Sequence, residues 1–369
     1  MKKICVVITS RAAYGRLKSV LQAIKDHDEL TLQVVIAASA ILPRYGTEAM
    51  MLEDGFTPDF SARSCIEGHT PSSMAVGIGL LLLELTTIFE ALKPDIVLAH
   101  ADRYETIAVA IAATSSNIVL AHTQGGEITG TIDESMRHAI TKLANLHFVS
   151  THVEADRLQS MGENPEQVFI SGDPHIDRIV AGHIETEARA REQLELDRDE
   201  PFVLVLHHSN TLHPDRTRDE MKAIIGAIKE VGIRPIYIYP SSDQGHDDII
   251  SMLPPEQSCR NLDSDVFLAL LKAARAVVGN SSAGIIEAPC LGTWAINIGD
   301  RQIGRMLSSN IRTVNPDIKE IRRELHDVID RPKPHATWIY GQGKCHEIIT
   351  QTLTDLEIDE KVMDKRMTY

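Results

Sequence analysis

Residues Ala121–Lys142, with the sequence AHTQGGEITGTIDESMRHAITK, are the most informative stretch of this chain, because they place many ionisable groups beside a Gly-Gly turn. The segment follows an apolar, strand-like stretch, Asn117–Ala121, and contains the start of a helix. A second charged loop, His100–Glu105, follows another strand-like stretch, Asp95–Ala99. Parallel strands that end in charged loops and continue into helices form the carboxyl edge of a sheet, where open α/β folds bind ligands.

The composition is that of a globular protein with room for two domains. The chain has 369 residues, of which 43% are hydrophobic, and this is enough to build a sizeable core. The formal net charge of −15 argues against non-specific binding to nucleic acid, so we expect no nucleic-acid partner. The five cysteines form no C-x-x-C pair, which favours free thiols in a reducing compartment.

The apolar segments favour a protein without a leader or a membrane span. The first ten residues, MKKICVVITS, have too short an apolar stretch for a signal peptide. The apolar run Gly79–Leu83 is interrupted by Glu84, which indicates a buried helix. We therefore expect a cytoplasmic enzyme with no membrane partner.

Strands and helices are predicted to alternate along both halves of the chain. Continuous apolar runs indicate strands that are buried on both faces, and apolar residues at helical spacing indicate the helices between them. The predicted strands are Ile4–Ile8, Leu32–Ala37, Ile96–Ala99, Ile118–Ala121, His147–Val149, Phe202–Leu206, Pro235–Tyr239, Ala276–Gly279 and Trp294–Ile298. The predicted helices are Tyr14–Asp26, Pro71–Leu92, Tyr104–Ser115, Asp133–Ala144, Asp215–Val231, Phe267–Arg275 and Ser282–Leu291.

These elements predict an α/β fold with two Rossmann-like domains that face each other across a cleft. The pattern restarts after a boundary near Asp173–Ala181, which gives an N-terminal domain of residues 1–175 and a C-terminal domain of residues 176–369. The last helix could pack back on the first domain.

Two loops have the chemistry of phosphate-binding turns. Ser10–Arg16 follows the first strand and opens a helix, where backbone N–H groups favour an anion and Arg11 can contact a phosphate. Gly279–Gly284 repeats the arrangement in the second half, with Ser281 and Ser282 as donors. A surface arginine and an ordinary helix cap are the alternatives. Because G-x-G-x-x-G is absent from these loops, we expect no dinucleotide cofactor.

Three further features fit a nucleotide. Glu287, near the start of a predicted helix, could accept hydrogen bonds from both hydroxyls of a ribose. The loop Gly299–Arg305 has two glycines and two arginines, which suit either a segment that closes on an anion or a basic surface loop. His207–Thr211 ends a strand, where a histidine either donates to a phosphate or has a structural role.

Three carboxylates, those of Asp102, Glu127 and Asp133, lie in loops of the first half. Such groups could move protons at a sugar carbon if a closed site raises their pKa values. Asp133 could instead cap its helix. No compact H-x-H or H-E-x-x-H spacing occurs, so we expect no metal site.

The sequence resembles the hydrolysing UDP-N-acetylglucosamine 2-epimerases, which include bacterial enzymes of sialic and legionaminic acid synthesis and the epimerase half of an animal bifunctional enzyme. The string GGE…GT-x-DE…RHA-x-TK within Ala121–Lys142 is specific to them, because non-hydrolysing members have an H-x-E-A-G segment there. Further matches run in order along the chain at Ser10–Ala12, Tyr14, Asp102–Glu105, Gly279–Ser282, Glu287, Arg301–Arg305, Tyr340–Gly341 and Gly343.

The resemblance implies a GT-B-like fold, with a UDP-sugar in the cleft, the sugar and catalytic side in the first domain and the nucleotide side in the second. A base removes the proton at C2, UDP leaves by anti elimination to give a 2-acetamidoglucal, and water adds to give N-acetylmannosamine or its 2,4-diacetamido relative. No cofactor is implied. The implied catalytic residues are Asp102, Asp133, Glu127, His122 and Gln124. The implied nucleotide-binding and diphosphate-binding residues are Arg11, Arg103, His208, Phe267, Ser281, Ser282, Glu287 and Arg301.

The sequence departs from the family pattern at three positions on the sugar side. Gln124 lies where the family usually has a carboxylate, Ala13 where it has an acidic or similar residue, and Ala40 where it has a histidine. Because a glutamine does not transfer protons as a carboxylate does, the proton role could pass to Asp102, Asp133 or Glu127.

Three alternative functions stay open. A non-hydrolysing epimerase would interconvert two UDP-sugars without releasing UDP, and a GT-B glycosyltransferase would need an acceptor. A catalytically weakened binder of nucleotide sugars would bind UDP without turnover. The resemblance also implies a homo-dimer or homo-tetramer, for which the apolar helix Met74–Leu92 is a candidate interface, although core packing explains its composition equally well.

Overall fold

The computed structural model describes residues 1–66, 71–240, 244–260, 262–366 and 368, and these form two compact units. Unit 1 contains Met1–Glu127, Asp133–Asp177 and Tyr340–Tyr369, whereas unit 2 contains Ile128–Ile132 and Arg178–Ile339. Each unit is built on a parallel sheet, so the predicted α/β class with two parallel-sheet domains is confirmed. The units differ from the predicted domains 1–175 and 176–369, because the C-terminal thirty residues join unit 1.

Unit 1 is built on a parallel sheet with the order β3-β2-β1-β4-β5-β6-β7. Its strands are β1 (Lys2–Ile8), β2 (Leu30–Ile36), β3 (Phe60–Ser61), β4 (Ile96–His100), β5 (Val119–Thr123), β6 (Leu146–Val149) and β7 (Val168–Ile170). The helices that lie wholly or mainly in unit 1, up to residue 180, are α1 (Arg11–Lys25), α2 (Thr47–Glu53), α3 (Pro71–Leu92), α4 (Thr106–Ser115), α5 (Ile132–Leu143), α6 (His152–Ser160) and α7 (Pro174–Val180).

The central strand of unit 1 is buried on both faces. In β1, Ile4 packs in one core with Leu17 of α1, and Cys5 packs in the opposite core with Leu85 of α3. Alternate side chains of one strand therefore point into two different layers of helices. This explains why the strands read as continuous apolar runs and not as alternating ones.

Unit 2 repeats the arrangement with the strand order β10-β9-β8-β11-β12-β13. Its strands are β8 (Phe202–Leu206), β9 (Arg234–Ile238), β10 (Ser258–Cys259), β11 (Ala276–Gly279), β12 (Trp294–Ile298) and β13 (Ile311–Val314). Its helices are α8 (Glu187–Glu192), α9 (Thr217–Val231), α10 (His246–Ile250), α11 (Ser264–Ala273), α12 (Glu287–Cys290) and α13 (Ile318–Ile329).

Each sheet has one position at which the strand order reverses. In unit 1 it lies between β1 and β4, which pair in parallel from Ile4 and Ile96. In unit 2 it lies between β8 and β11, which pair from Val203 and Ala276. Loops that leave the carboxyl ends of such strand pairs diverge and leave a crevice, which is where open α/β sheets bind ligands. The predicted motifs after these four strands therefore lie at the two expected binding positions.

The predicted helix Ser282–Leu291 is wrong. The structure has a single 3₁₀ turn, Ser282–Gly284, followed by the short helix α12. Pro289 explains the break, because it has no N–H for the carbonyl of Ile285 and its ring would clash there within one continuous helix. The short edge strand β7 was not predicted, since its three residues are only partly buried and have no long apolar run.

The C-terminal segment belongs to unit 1 because a buried carboxylate holds it there. The tail contains α14 (Cys345–Asp355) and α15 (Glu360–Met363). The Asp177 carboxylate accepts hydrogen bonds from the backbone N–H groups of Cys345 (2.9 Å) and His346 (2.8 Å), at the start of α14. The same helix buries Ile349 in the core beside β1.

A second anchor of the tail is an ionic cluster around Glu163. Its buried carboxylate is bonded to Lys142 (2.5 Å), to the His147 ring (3.0 Å) and to Lys365 of the tail (2.6 Å). Burial alone would raise the pKa of Glu163, but the hydrogen bonds from His147, Lys142 and Lys365 outweigh it and lower the pKa to about 2. The carboxylate is therefore ionised throughout the physiological range.

One helix among the described residues, Ser72–Leu92 within α3, is long and apolar enough to cross a membrane by length and composition. Leu81 and Leu85 of this helix are buried in the core of unit 1, whereas Val76 and Leu83 are exposed. Helices in protein cores reach the same composition, so these properties alone do not identify a membrane span.

We predict that Glu163→Gln lowers the free energy of unfolding by about 3 kcal/mol, because it leaves the half-buried Lys142 and Lys365 without their buried counter-ion. The pKa of Glu163 is depressed from 4.5 to about 2, so the stabilisation is fully present above pH 4.5 and is lost as the pH falls toward 2. Thermal unfolding at several pH values measures this difference.

The matched control is Glu166→Gln, because Glu166 makes an exposed ion pair with Lys361 at 2.7 Å. Exposed pairs contribute little to stability, so this variant should unfold as the wild type does. Equal melting temperatures for the two variants at pH 7 would contradict the assigned role of the Glu163 cluster.

Candidate functional site

The ends of β4 and β5 form the centre of the candidate site in unit 1. Ala101 and Gln124 follow these strands and both have a left-handed backbone, with φ of 57° and 59°. Nonglycine residues rarely adopt this conformation, and it persists only where the surrounding contacts enforce it. One such contact is the His122 ring, whose Nε2 donates to the Ala101 carbonyl at 2.8 Å. The other nitrogen, Nδ1, lies 3.2 Å from the hydroxyl of Thr141.

The histidines beneath these loops are neutral. Burial lowers the pKa of His122 to about 3, although its hydrogen bond to Ala101 acts in the opposite direction. Burial also lowers the pKa of His100 to about 3, and the neighbouring positive charge of Arg16 adds to this effect. Both rings are therefore fixed hydrogen-bonding groups at physiological pH and carry no charge.

An arginine joins two of the residues that were predicted to be catalytic. Arg137 of α5 is 1% exposed and forms an ion pair with Asp102, which follows β4. Its other terminal nitrogen donates to the backbone carbonyl of Glu127 at 2.8 Å. The carboxylate of Glu127 in turn accepts a hydrogen bond from Ser150 at 3.0 Å. Arg137 is part of the sequence motif, but it was not predicted as a site residue.

The Gly-Gly turn is required by close packing. A Cβ atom on Gly126 would lie 2.4 Å from Leu158 Cδ1 and 2.8 Å from the carbonyl oxygen of Glu154. Gly126 also has a φ of 78°, which a side chain would make costly. The turn therefore lies directly against α6 and brings Glu127 toward Arg137.

Gln124 and Asp133 occupy different parts of this edge. The Gln124 amide donates to the buried carboxylate of Asp173, which also contacts Arg16 at 3.3 Å. Asp133 lies half-buried in the first turn of α5, one turn before Arg137. Asp173 was not predicted as a site residue, although its position after β7 at the carboxyl edge was a usable signal.

The two predicted anion-binding arginines of unit 1 already contact protein groups. Arg11 begins α1 and donates to the Tyr45 carbonyl at 2.8 Å. Arg103 contacts both oxygens of Glu105, at 3.2 and 3.3 Å. Both guanidinium groups lie on loops that leave the β1/β4 switch point.

In unit 2 the two loops at the switch point are bonded to each other. The Asn280 side chain accepts a hydrogen bond from His208 N–H (2.7 Å) and donates to the His208 carbonyl (2.8 Å). A Cβ atom on Gly279 would lie 1.9 Å from the Leu206 carbonyl oxygen, so only glycine permits this approach. The loops that follow β8 and β11 are therefore held together at His208 and Asn280, and we call these two loops the platform. This contact was not predicted from the sequence.

The arginine-rich loop of unit 2 is bonded to the same platform. Arg301 and Gln302 both donate to the backbone carbonyl of Asn280, at 3.1 and 2.7 Å. The short segment Ile128–Ile132 packs on this loop as well, because Gly130 N–H donates to the Arg301 carbonyl at 3.0 Å. The predicted phosphate-binding loops Gly279–Gly284 and Gly299–Arg305 are therefore neighbours.

The remaining predicted nucleotide residues also lie in unit 2. Ser281 caps the 3₁₀ turn by accepting the N–H of Ala283 at 3.4 Å, and Ser282 begins that turn. Glu287 is buried at the start of α12, and Phe267 lies half-buried in the first turn of α11. No group of three or more His, Cys, Asp or Glu side chains that could hold a metal ion was found within the described ranges.

The structure thus separates the predicted residues into two sets. The predicted catalytic residues Asp102, Asp133, Glu127, His122 and Gln124 all belong to unit 1. Arg11 and Arg103 belong to unit 1 as well, and the other predicted nucleotide-binding residues belong to unit 2.

Two relatives match most or all of the chain. A hydrolysing UDP-N,N'-diacetylbacillosamine 2-epimerase of Legionella pneumophila is 31% identical over 376 residues and covers both chains completely. A hydrolysing GDP/UDP-N,N'-diacetylbacillosamine 2-epimerase of Campylobacter jejuni is 31% identical, over 84% of this chain and 83% of its own.

Solved structures share the fold. A UDP-GlcNAc 2-epimerase of Neisseria meningitidis, crystallised with UDP-GlcNAc, superposes with a TM-score of 0.82 at 18% identity and covers 96% of this chain and all of its own. The sequence also matches the UDP-N-acetylglucosamine 2-epimerase family over residues 22–354. The chain therefore belongs to the UDP-N-acetylglucosamine 2-epimerase family.

Proposed function

We propose that the protein is a hydrolysing nucleotide-sugar 2-epimerase. It converts a UDP-linked 2-acetamido sugar and water into UDP and the free sugar with inverted configuration at C2. The observation that carries this proposal is the group formed by Asp102, Arg137 and Glu127 at the ends of β4 and β5. The names of the Legionella and Campylobacter relatives support the hydrolysing reaction.

We assign the proton abstraction to Asp102. The bond between C2 and its hydrogen breaks as the carboxylate takes the proton, and the electron pair forms the C1–C2 double bond while UDP leaves from C1. The Arg137 guanidinium favours the ionised carboxylate, which is the form that accepts a proton. The sequence suggested a base whose pKa is raised by burial. The ion pair between Arg137 and Asp102 instead favours a carboxylate that stays charged.

The second step adds water across the double bond. Water supplies the hydroxyl group to C1, and a proton is added to C2 from the face opposite to that of its removal. This inversion requires an acid other than the original base. We assign it to Asp133, which lies in the first turn of α5 and is half-buried. Glu127 orients Arg137 through its backbone carbonyl.

The leaving group is proposed to bind on the platform of unit 2. Arg301 and the hydroxyls of Ser281 and Ser282 are suited to the diphosphate, because charge that develops on a leaving oxygen is stabilised by fixed donors. His208 is placed on the same platform by Asn280. The ribose is assigned to Glu287 and the uracil to Phe267. A role in nucleotide binding is proposed for Arg11 and Arg103 as well.

The sugar is proposed to be a 2-acetamido or 2,4-diacetamido sugar of the sialic or legionaminic acid type of pathway. The names of the Legionella and Campylobacter relatives favour a 2,4-diacetamido substrate. Within the described residues no disulfide joins any of the five cysteines, which fits the proposed cytoplasmic location.

A homo-oligomer is proposed to form through the exposed face of α3. Val76, Leu80 and Leu83 lie on one face of this helix, at spacings of four and three residues, and all three are exposed. Light scattering tests this, because a monomeric mass at micromolar concentration would contradict the proposal.

The function is tested by incubating the protein with UDP-N-acetylglucosamine and with the UDP-linked 2,4-diacetamido sugar, without metal or acceptor. We expect equal amounts of UDP and of free 2-epimer from at least one of them. Interconversion of two UDP-sugars without UDP release would identify a non-hydrolysing epimerase. A requirement for an acceptor would identify a glycosyltransferase, and UDP binding without turnover would identify a binder.

We predict that Asp102→Asn lowers kcat by at least about a hundredfold, because the amide cannot take the C2 proton. The affinity for UDP should change by less than about twofold, since the nucleotide is assigned to other residues. The control is Asp156→Asn, which changes an exposed carboxylate on α6. Full activity of Asp102→Asn would show that another group is the base.

We predict that His122 acts as a positioning residue whose variants separate hydrogen bonding from proton transfer. In His122→Gln the amide can still donate to the Ala101 carbonyl, so kcat/KM should stay within about fivefold of the wild type, as for one retained hydrogen bond. His122→Ala loses that donor and should lower kcat/KM by more than about tenfold. Equal loss in both variants would instead indicate proton transfer by the imidazole.

A further inference from the structure

Asp173 is a buried carboxylate whose contacts converge on the sugar side of unit 1. It is fully buried, and both of its oxygens are engaged. One oxygen accepts hydrogen bonds from the Gln124 amide and from Arg16, the latter at 3.3 Å. The other accepts the backbone N–H of His175 at 2.8 Å. Three elements of the sheet edge, those that follow β1, β5 and β7, therefore meet at this carboxylate.

The Gln124 side chain has little freedom. Its backbone is left-handed, its N–H donates to the Phe148 carbonyl at 2.8 Å, and the residue is buried. A glutamine amide can normally turn over by 180°, which exchanges its donor and its acceptor. Here a carboxylate accepts from the amide nitrogen, and an ionised carboxylate cannot donate. The oxygen of the Gln124 amide is therefore fixed on the side away from Asp173.

We propose that Asp173 is a positioning residue that locks the Gln124 amide and makes Gln124 a hydrogen-bond acceptor toward the sugar. This inference rests on the proposed function and specifies the substrate contact: Gln124 selects a sugar that offers an N–H or O–H donor. A locked acceptor explains how an amide serves where a proton-transferring carboxylate would otherwise be expected. Asp102 and Asp133 then carry the proton steps.

The charges around the pair support an ionised Asp173. Arg16 of α1 supplies a positive charge, and the backbone N–H of His175 in α7 donates a further hydrogen bond. His100 at the end of β4 is neutral, because burial lowers its pKa to about 3. A carboxylate with a guanidinium partner and several donors is stable in its charged form even when buried.

The test measures kcat and KM for the converted UDP-sugar in wild type, Asp173→Asn and Asp177→Asn. In Asp173→Asn the two facing amides can pair in either orientation, so the acceptor is no longer fixed and KM should rise about tenfold, with a smaller change in kcat. Asp177→Asn is the matched control, because it changes a buried carboxylate one turn further along the chain, whose hydrogen bonds go to the start of α14 and to Ser19 of α1. It should lower the melting temperature and leave KM unchanged.

Exchanging the amide of Gln124 and the carboxylate of Asp173 tests the pair through the pH dependence of KM, which a purely structural role of Asp173 would not alter. Gln124→Glu places two carboxylates in contact, which must share a proton, so KM should be near that of wild type at low pH and rise as the pH increases. The double variant Gln124→Glu/Asp173→Asn again pairs an amide with a carboxylate and keeps an acceptor toward the sugar. It should remove that pH dependence and recover most of the affinity at pH 7.

Two outcomes would overturn the inference. An unchanged KM in Asp173→Asn, or a pH profile of Gln124→Glu equal to that of wild type, would show that the pair does not position the sugar. If Asp173→Asn does not fold, Gln124→Met removes the acceptor at similar size, and an unchanged KM there would be equally decisive. Absence of turnover in the wild type would contradict the proposed function itself and the inference with it.

Discussion

The ion pair between Arg137 and Asp102 is the interaction on which the rest of the candidate site depends. Arg137 is almost completely buried, and its guanidinium joins the loop after β4 to the loop after β5 through Asp102 and the Glu127 carbonyl. A buried guanidinium is stable only with full hydrogen bonding, so both loops must take the positions in which they meet it. The His122 contact with the left-handed Ala101 and the packing of the Gly-Gly turn against α6 hold the same two loops.

The same principle organises unit 2 with a neutral residue. The Asn280 side chain accepts from the N–H of His208 and donates to the His208 carbonyl, because an amide has a donor and an acceptor in one plane. The backbone carbonyl of Asn280 accepts hydrogen bonds from Arg301 and Gln302. Three loops are thereby fixed around a single residue, which prearranges the donors that we assign to the diphosphate.

The sequence predicted the strands that are buried on both faces and missed the strands at the edges of the two sheets. Phe202–Leu206 and Trp294–Ile298 have the predicted bounds, because continuous apolar runs are a strong signal. The helix predicted over Ser282–Leu291 is broken, since Pro289 is incompatible with a continuous helix there. The motif residues were found because they follow strands. The partnership of Gln124 with Asp173 could not be predicted, because it joins residues 49 positions apart through a tertiary contact.

The proposed mechanism requires that the C–H bond at C2 of the sugar is broken during turnover. Proton NMR of the reaction in D2O, with a nucleotide sugar that the protein converts, measures this directly. We expect a free 2-epimer that carries deuterium at C2, together with free UDP. A free sugar that retains its original hydrogen at C2 would contradict the mechanism, because UDP would then have been lost by simple hydrolysis without proton abstraction.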